Sequence, residues 1–360
     1  MTTVLSSKER VKMAIAHQEP DRVPLDYTGG NAGVDNRLMA HFGLQPGDEE
    51  GLLTALGTDF RYAYAPYNGP ALHAEAPGRL IDPAWGFHRR WIENESGGYW
   101  DYCDFPLQDA TLDEIEAFPF PCADDFDYAN VEKACTKNRD YFLTGGGGGI
   151  VDIINQTGML RSMEQVLIDL MTDDEAGLRL IQRRVDAQYA WMERTLEVGN
   201  GRIDALWMGE DLGTQHSPMI SLDLFRKHIR PHHERMIGLA KKWNIPVITH
   251  SCGSSSWAYN DFIEMGVSVV DTLQPEAKNM EPAYLKATYG DRLAFHGCIS
   301  TAGPLAYGTP AEVEQVVKDT LEIMMPGGGY LLAPTHSVQD NTPTENVIAM
   351  YEAARKYGVY

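Results

Sequence analysis

The chain has 360 residues, of which 43% are hydrophobic and 22% charged, and these globular values exclude collagen, coiled coil and disorder. Its 51 acidic and 30 basic side chains give a formal net charge of −21, which disfavours nucleic acid and anionic membrane as partners. Five cysteines, no apolar signal core at the N terminus and no apolar stretch approaching the ~18 residues of a membrane span predict a cytoplasmic protein with reduced thiols.

Four helix starts are marked by a hydroxyl residue three positions before a glutamate, which is the spacing of a capping box. The pairs are Ser6/Glu9, Thr111/Glu114, Thr309/Glu312 and Thr342/Glu345. The last pair opens a segment with apolar residues at helical spacing, which predicts a closing helix that ends at Gly358.

Short, continuous apolar runs alternate with segments of helix length. The runs are RVPLDY, YFLTG, DALWMGED, PVITHSC, VSVVDTLQ, LAFHGCI and GYLLAPTH. Such runs are typical of buried parallel strands. Repeated strand and helix over about 250 residues predicts an α/β fold, a (β/α)₈ TIM barrel, here as a single domain over residues 1–360. A doubly wound sheet is the alternative, although no G-x-G-x-x-G follows a first strand.

An aromatic-rich insertion near residues 60–105 interrupts this rhythm. It is either a β-hairpin that packs on its own rings or an aromatic wall over a pocket mouth. Because long insertions in compact domains are often functional, we expect this one to contribute to the substrate pocket or its lid. The expected substrate-binding residues are Trp85, Phe87 and Trp91, with Tyr99 and Trp100 beside them.

Polar side chains gather where five of the predicted strands end. They are Glu210 and Asp211; His250 and Cys252; Asp271, Gln274 and Glu276; His296 and Cys298; and His336. In a parallel barrel these positions surround one common mouth, where the chemistry takes place. We expect Glu210, Asp211 and His336 to orient the substrate or move protons, and Gln274 to contact the substrate.

The pattern H-x-C in THSC suggests a metal site. His250 and Cys252 can face one point if the chain bends as its strand ends, and Cys298 would arrive from the second strand after them. Imidazole and thiolate suit Zn²⁺, and three protein ligands with one open position are the catalytic arrangement. The opposing interpretation is structural, since a lone His or Cys at a strand end is most often packed and hydrogen-bonded. Alternative ligands are His336, Asp271 and Glu276.

Two other patterns are weaker evidence for a functional site. His228 and His232 stand four apart in HIRPHHE but lack the glutamate of H-E-x-x-H, so a solvated helix face is expected. The glycine run of residues 144–150 lacks the lysine and the spacing of a phosphate loop, and it predicts a mobile loop between a strand and a helix.

The chain resembles the uroporphyrinogen decarboxylase superfamily over nearly its whole length. KERVKMAIAHQEPDRVPLDY is similar to that family's opening, FIEMGVSVVDTLQPEA to its later strand and turn, and PTHSVQDNTPTENVIAMYEA to its final strand and helix. The resemblance implies a (β/α)₈ barrel. It also implies one of two activities, which are decarboxylation in the tetrapyrrole pathway and zinc-dependent methyl transfer with corrinoid proteins.

Two differences favour the methyltransferase branch. The decarboxylases carry R-Q-A-G-R, whose arginines grip substrate carboxylates, where this chain has TGGNAGVDNR, and they lack the pattern of His250 and Cys252. That H-x-C pattern is similar to the methyltransferase branch. In its coenzyme M enzymes the distant cysteine lies in a final PGC, whereas this chain has PTH with His336, and Cys298 lies one strand earlier.

The resemblance therefore implies a zinc methyltransferase that moves a methyl group between a small methylated compound or a thiol and the cobalt of a corrinoid (cobalamin). With a methoxy compound the reaction is an O-demethylation. The chain lacks the D-x-H-x-x-G stretch of cobalamin modules, so the corrinoid is expected on a separate protein. The alternatives are a metal-free decarboxylase of the same fold and a barrel-derived binding protein.

Overall fold

The computed structural model describes residues 5–94 and 98–360. Within these ranges a seven-stranded sheet of parallel strands curls on itself, and a separate three-stranded sheet is antiparallel. The strands are β1 (Phe60–Ala63), β2 (Leu80–Ile81), β3 (His88–Ile92), β4 (Tyr99–Tyr102), β5 (Phe142–Gly146), β6 (Ala205–Gly209), β7 (Val247–Ser251), β8 (Val269–Thr272), β9 (Ala294–Ile299) and β10 (Tyr330–Pro334). In the large sheet β1 and β5 to β10 follow one another in chain order, so each neighbour is reached by a crossover through helices.

Helices cover the outside of this sheet. In the described ranges they are α1 (Ser7–Ile15), α2 (Ala32–His41), α3 (Glu49–Leu56), α4 (Leu112–Ala117), α5 (Ala129–Lys137), α6 (Ile153–Arg161), α7 (Met163–Thr172), α8 (Glu175–Gly199), α9 (Leu222–Leu224), α10 (Arg230–Trp243), α11 (Tyr259–Met265), α12 (Pro282–Tyr289), α13 (Pro304–Tyr307), α14 (Pro310–Met324) and α15 (Thr344–Tyr357). Short 3-10 turns at Ala123–Asp125 and Ser256–Ala258 and a π-helical turn at Phe225–Ile229 complete them. No helix among the described residues has both the length and the apolar character that crossing a membrane requires.

The first predicted strand, RVPLDY, fills the gap between the two edges of the large sheet. Leu25 forms a single parallel bridge with Leu332 of β10. On its other side, the carbonyl oxygen of Leu25 accepts a hydrogen bond of 2.7 Å from the amide of Asp59, just before β1. The seven strands and this segment confirm the predicted α/β barrel class.

Side chains alternate between the inside of the barrel and the layer beneath the helices, because successive residues of a strand point to opposite faces. The inner cluster contains Phe60, Phe142, Ala205, Trp207, Ile248, Val269, Ala294 and Leu331, most of them fully buried. Their neighbours along the strands, such as Leu206, Val270 and Phe295, pack outward in the main core. At the carboxyl end of each strand the same alternation decides which polar side chains reach the barrel mouth.

Two details differ from the sequence predictions. The insertion predicted to start at residue 60 begins instead with the barrel strand β1, whose polar and aromatic residues FRYA conceal the buried pattern. Three capping boxes are confirmed, at the starts of α1, α4 and α14. The fourth is wrong: α15 starts at Thr344 after Pro343, without a side-chain cap from Thr342.

Candidate functional site

A cavity of about 410 Å³ opens at the carboxyl ends of the barrel strands. Its walls come from β1, β5, β6, β7 and β8 and from the loops that follow β5 and β10. The lining residues are Thr28, Tyr62, Gly146, Gly147, Gly148, Trp207, His250, Asp271, Thr272, His336 and Ser337. Its position is the one at which parallel barrels place their active sites.

Three side chains with metal-binding atoms meet beside this cavity, and of the three His250 lines it. His250 ends β7, Cys252 follows it, and Asp211 lies two residues beyond β6. Cys252 Sγ lies 3.4 Å from His250 Nε2, and Asp211 Oδ1 lies 3.6 Å from the same nitrogen. One ligand atom from each of the three residues lies within 4.8 Å of the other two.

Backbone and amide contacts hold this cluster. The amide of Cys252 donates to Asp211 Oδ1 at 2.8 Å, and Asn155 Nδ2 donates to Asp211 Oδ2 at 2.7 Å. The next amide, of Gly253, donates to Gln274 Oε1 at 2.7 Å. Gln274, predicted to contact the substrate, therefore fixes the loop that follows Cys252 and does not line the cavity.

A series of linked hydrogen bonds runs from His250, which is partly exposed, to fully buried groups inside the barrel. His250 Nδ1 lies 2.6 Å from Asp271 Oδ2, and the other oxygen of Asp271 lies 2.6 Å from His296 Nδ1. His296 Nε2 lies 3.1 Å from Asp26 Oδ2, which also accepts a bond of 2.9 Å from the Tyr62 hydroxyl. Asp26 and His296 are completely buried and Asp271 is nearly so.

The charged groups in this series of hydrogen bonds stabilise one another. Burial raises the pKa of the Asp271 carboxyl, but the charge of His296 and bonds from both imidazoles outweigh it and lower this pKa to about 2. Burial likewise lowers the pKa of His296, but Asp271 and Asp26 outweigh it and raise this pKa to about 9. The result is a buried imidazolium between two acidic side chains.

Cys252, His250 and Asp271 also have the order of a nucleophile, a base and an orienting carboxylate. Two observations argue against acyl transfer. The amides of Cys252 and Gly253 are the backbone donors next to the sulfur in the chain, and both already donate, to Asp211 and Gln274, so neither is free for an oxyanion. Burial raises the pKa of the Cys252 thiol, and His250 offsets this only in part, so the thiol is a weak nucleophile as it stands.

The same atoms suit a bound cation better. Zinc binds sulfur at about 2.3 Å and nitrogen or oxygen at about 2.0–2.2 Å, so two ligands of a tetrahedral site lie about 3.5 Å apart. The separations of 3.4 Å and 3.6 Å around His250 Nε2 match that distance. A soft sulfur, a borderline nitrogen and a carboxylate oxygen form a donor set that Zn²⁺ accepts.

The structure does not bring Cys298, the predicted third ligand, into this cluster. By register with Ala333 it falls on the inner side of β9, but positive φ angles at Gly297 (117°) and Cys298 (72°) turn its side chain away. Its sulfur packs in the main outer core, and burial raises the pKa of the thiol far above its usual range. Asp211, predicted as an acid/base residue, stands beside His250 and Cys252 instead.

Glu210 and His336 have different settings. Glu210 is fully buried behind the cavity and accepts hydrogen bonds from the amides of Ile153 and Ile154 at 2.8 Å and 2.9 Å. Burial raises its pKa to about 8, and its contacts give it the role of holding the start of α6. His336 is exposed at the rim of the cavity, where its Nδ1 approaches only the backbone oxygen of Ser337 among the contacts of the described residues.

The aromatic residues of the insertion lie away from the cavity lining. Phe87 is buried in a separate cluster with Leu160 and Leu180, and Trp85 packs beside it and against Phe120. Trp91 is half exposed and contacts Trp100 edge to face at 5.6 Å between ring centroids. Tyr99 is also half exposed. Glu276, an alternative ligand in the sequence, accepts a bond from Ser300 at 3.0 Å.

Sequence reasoning missed two parts of the site. Asp26 and Tyr62 reach the centre from the two segments that close the barrel. Asp26 stands near the end of the apolar run RVPLDY, which is the signal that could have found it, whereas FRYA around Tyr62 carries no such signal. The glycine run is a wall of the site: a Cβ on Gly148 would lie 3.1 Å from His250 Cγ. Hydrogen bonds from Gly147 to Trp207 and from Gly209 to Ile150 anchor this loop, which was predicted to be mobile.

Comparison with known proteins identifies the fold and a family model. The uroporphyrinogen decarboxylase (URO-D) family model matches residues 143–357, more than half of the chain. A methyltransferase from Methanosarcina mazei aligns with a TM-score of 0.67 and 19% identity over 98% of this chain and 99% of its own. The native xylanase 10B from Thermotoga maritima aligns with a TM-score of 0.40 and 15% identity over 65% of this chain and 81% of its own. No curated protein matches the chain in sequence.

Proposed function

The chain belongs to the uroporphyrinogen decarboxylase family, and we propose that within this family it is a zinc-dependent methyltransferase of a corrinoid system. The observation that carries the proposal is the convergence of Asp211, His250 and Cys252 at the barrel mouth. A metal-free decarboxylase has no need of such a donor set, and the arginine-bearing segment of the decarboxylases is replaced by TGGNAGVDNR. The likeness of the whole chain to a methyltransferase from Methanosarcina mazei supports the same choice.

Asp211 Oδ1, His250 Nε2 and Cys252 Sγ would hold the zinc, with Asp211 in the place first expected for Cys298. When bound, zinc supplies a Lewis acid that stabilises negative charge on the oxygen or sulfur from which a methyl group leaves, or on a thiolate that receives it. Catalytic zinc sites with three protein ligands keep one position open, and here that position would take the oxygen or sulfur of the substrate.

The other lining residues would bind and orient the substrate. The rings of Tyr62 and Trp207, 6.1 Å apart between centroids, offer an apolar surface to a methyl group. The backbone of Gly146, Gly147 and Gly148 closes one side and limits the room for water beside His250. His336 at the rim is placed to exchange a proton between the leaving group and solvent.

The cobalt would arrive on a second protein, since the sequence lacks a cobalamin-binding stretch. Cob(I)alamin is a strong nucleophile and needs direct access to the methyl carbon. The cavity opens at the carboxyl ends of the strands, so a corrinoid protein would dock over that face. The proposed partners are thus a corrinoid protein and a small methylated compound or thiol.

Methyl transfer to cobalt tests this function. Zinc-loaded protein is mixed with cob(I)alamin and with methanol, methoxylated aromatics, methylamines or methyl thioethers in turn, and the cobalt spectrum is followed. We expect methylcob(III)alamin with at least one donor, and loss of this signal in Cys252→Ala. In parallel, methylcobalamin is offered to thiols. Uroporphyrinogen turnover by zinc-free protein, with no methyl transfer in either direction, would establish the decarboxylase instead.

A further inference from the structure

We propose that Asp271 is the positioning residue of the metal site and that His296 in turn fixes Asp271. The inference rests on the metal binding of the proposed function and deepens it, because it explains why His250 presents one particular nitrogen. It assigns a role to a buried carboxylate and a buried imidazole that bind neither substrate nor metal in the proposed reaction.

The first step is the choice of nitrogen. A neutral imidazole carries its proton on one nitrogen and binds a metal with the other, so the partner of the first nitrogen decides which one is free. Asp271 Oδ2 accepts from His250 Nδ1 at 2.6 Å, which leaves Nε2 as the metal-binding atom. Nε2 is the nitrogen that faces Cys252 Sγ and Asp211 Oδ1, at 3.4 Å and 3.6 Å.

The second step is the fixing of Asp271 itself. Its other oxygen lies 2.6 Å from His296 Nδ1, so each carboxylate oxygen has one imidazole partner. Short, charge-assisted bonds on both oxygens hold the carboxylate plane in one orientation. His296 is held on its far side by Asp26, at 3.1 Å. Asp271, His296 and Asp26 are each at most 2% exposed, so water does not compete for the hydrogen bonds between them.

The third step is the strand register that builds the arrangement. His250, Asp271 and His296 are direct partners across β7, β8 and β9. Partners across parallel strands point to the same side, so the three side chains form a row across the barrel interior. The row is a property of the rigid sheet, whereas Asp211 and Cys252 stand on loops and depend on hydrogen bonds from Asn155 and from the Cys252 amide.

Zinc affinity measures this role directly. Zinc dissociation constants are determined for the purified full-length chain by competition with a metal-binding dye, for wild type, Asp271→Asn and His296→Asn. Loss of such a partner of a metal-binding histidine commonly weakens the metal by about 10–100-fold, and we expect this for Asp271→Asn. The amide can donate to His250 Nδ1 and so place the proton on Nε2. His296→Asn keeps a donor near Asp271 but loses the charge, and a smaller loss is expected.

The matched control is Asp169→Asn, which changes another fully buried carboxylate that is paired with a cation, Arg161, and whose side-chain partners are Arg161 and Gln165 instead of residues of the site. Its zinc affinity is expected to equal that of wild type, even if its unfolding temperature falls. A second readout is the visible spectrum of the Co²⁺-substituted proteins, which reports ligand geometry and would change in Asp271→Asn but not in Asp169→Asn.

The outcomes separate the two proposals. Wild-type protein that binds no stoichiometric zinc would overturn the proposed function and this inference with it. Wild-type protein that binds zinc, with unchanged affinity and Co²⁺ spectrum in Asp271→Asn, would overturn the positioning role alone. Should Asp271→Asn not fold, His296→Asn decides: weaker zinc than in Asp169→Asn supports the inference, and affinity equal to that control overturns it.

Discussion

The pattern H-x-C occurs twice in this chain, at the ends of β7 and β9, and the two copies have opposite fates. In the first copy His250 lines the cavity, and Cys252 Sγ lies 3.4 Å from His250 Nε2. In the second copy His296 is completely buried below the cavity, and Cys298 packs in the outer core. The same spacing therefore produces a candidate pair of metal ligands on one strand and, on the other, two buried side chains on opposite sides of the sheet.

The backbone explains the difference. The middle residue of the first copy, Ser251, belongs to β7, and its hydroxyl accepts a bond from the amide of Leu212 at 3.2 Å. The middle residue of the second copy, Gly297, has a φ angle of 117°, and Cys298 follows with 72°. Two successive left-handed residues turn the sulfur from the inner to the outer side of the sheet. A spacing motif thus defines a site only where the backbone between its members is known.

The largest expected effect separates the two cysteines. Cys252→Ala removes a proposed ligand, and we expect it to lose stoichiometric zinc, whereas Cys298→Ala keeps the zinc content of wild type and loses about 1 kcal/mol of stability from a buried sulfur. Elemental analysis after dialysis against a weak chelator measures both. Zinc lost from Cys298→Ala and retained by Cys252→Ala would reverse the assignment.

Most strands could be predicted because buried parallel strands are continuous apolar runs. The helices could be predicted because neighbouring parallel strands must be joined by crossover segments. β1 could not be predicted, since FRYA mixes charge and aromatic rings and carries no such signal. For the site, the first H-x-C was predicted as a pair, but the exchange of Cys298 for Asp211 was not. That exchange depends on the φ angles of Gly297 and Cys298 and on the hydrogen bond from the Cys252 amide, which residue spacing does not encode.

The next largest expected effect is a difference in stability between substitutions of the middle residues of the two motifs, Gly297 and Ser251. Gly297→Ala places a Cβ against the carbonyl oxygen of Thr272 at a φ angle of 117°, and we expect a loss of about 4 kcal/mol in the free energy of unfolding. Ser251→Ala removes one hydroxyl acceptor and is expected to cost about 1 kcal/mol. Denaturant unfolding of the zinc-free proteins measures both, and equal losses would contradict the proposed difference in backbone.

His250 and His296 differ in burial, and the pH dependence of stability tests whether the more deeply buried His296 is charged. The pKa of His296 is about 9 in the folded chain, above the value of about 6.5 in an unfolded chain. Its stabilising contribution is therefore complete below pH 6.5 and is lost as the pH rises through 9, by about 3 kcal/mol. The groups that face it are Asp271 and Asp26.

His296→Asn lacks this titration. The stability difference between wild type and His296→Asn, both zinc-free, is expected to be largest near pH 6.5 and to shrink towards pH 9. Subtraction of the two profiles cancels the titration of groups that do not contact His296, and the remaining difference reports His296 together with its partner Asp271. A difference that stays constant over this range would show that His296 is neutral, and that the second motif carries no buried charge.

The smallest expected effect tests how closely the first motif is enclosed. Gly148 lies against the His250 ring, and a Cβ there would stand 3.1 Å from Cγ and 3.3 Å from Cδ2, so the ring must move by a few tenths of an ångström. Since Asp271 restrains that ring, Gly148→Ala is expected to weaken zinc binding by about fivefold. Gly147→Ala is the matched control, because a Cβ on Gly147 meets no atom within 4 Å. Dye competition compares the two variants. Equal zinc affinity in both variants would mean that the loop, and not the imidazole, moves to accommodate the added Cβ. The glycines would then be needed for the backbone conformation of the loop and not for the geometry of the site.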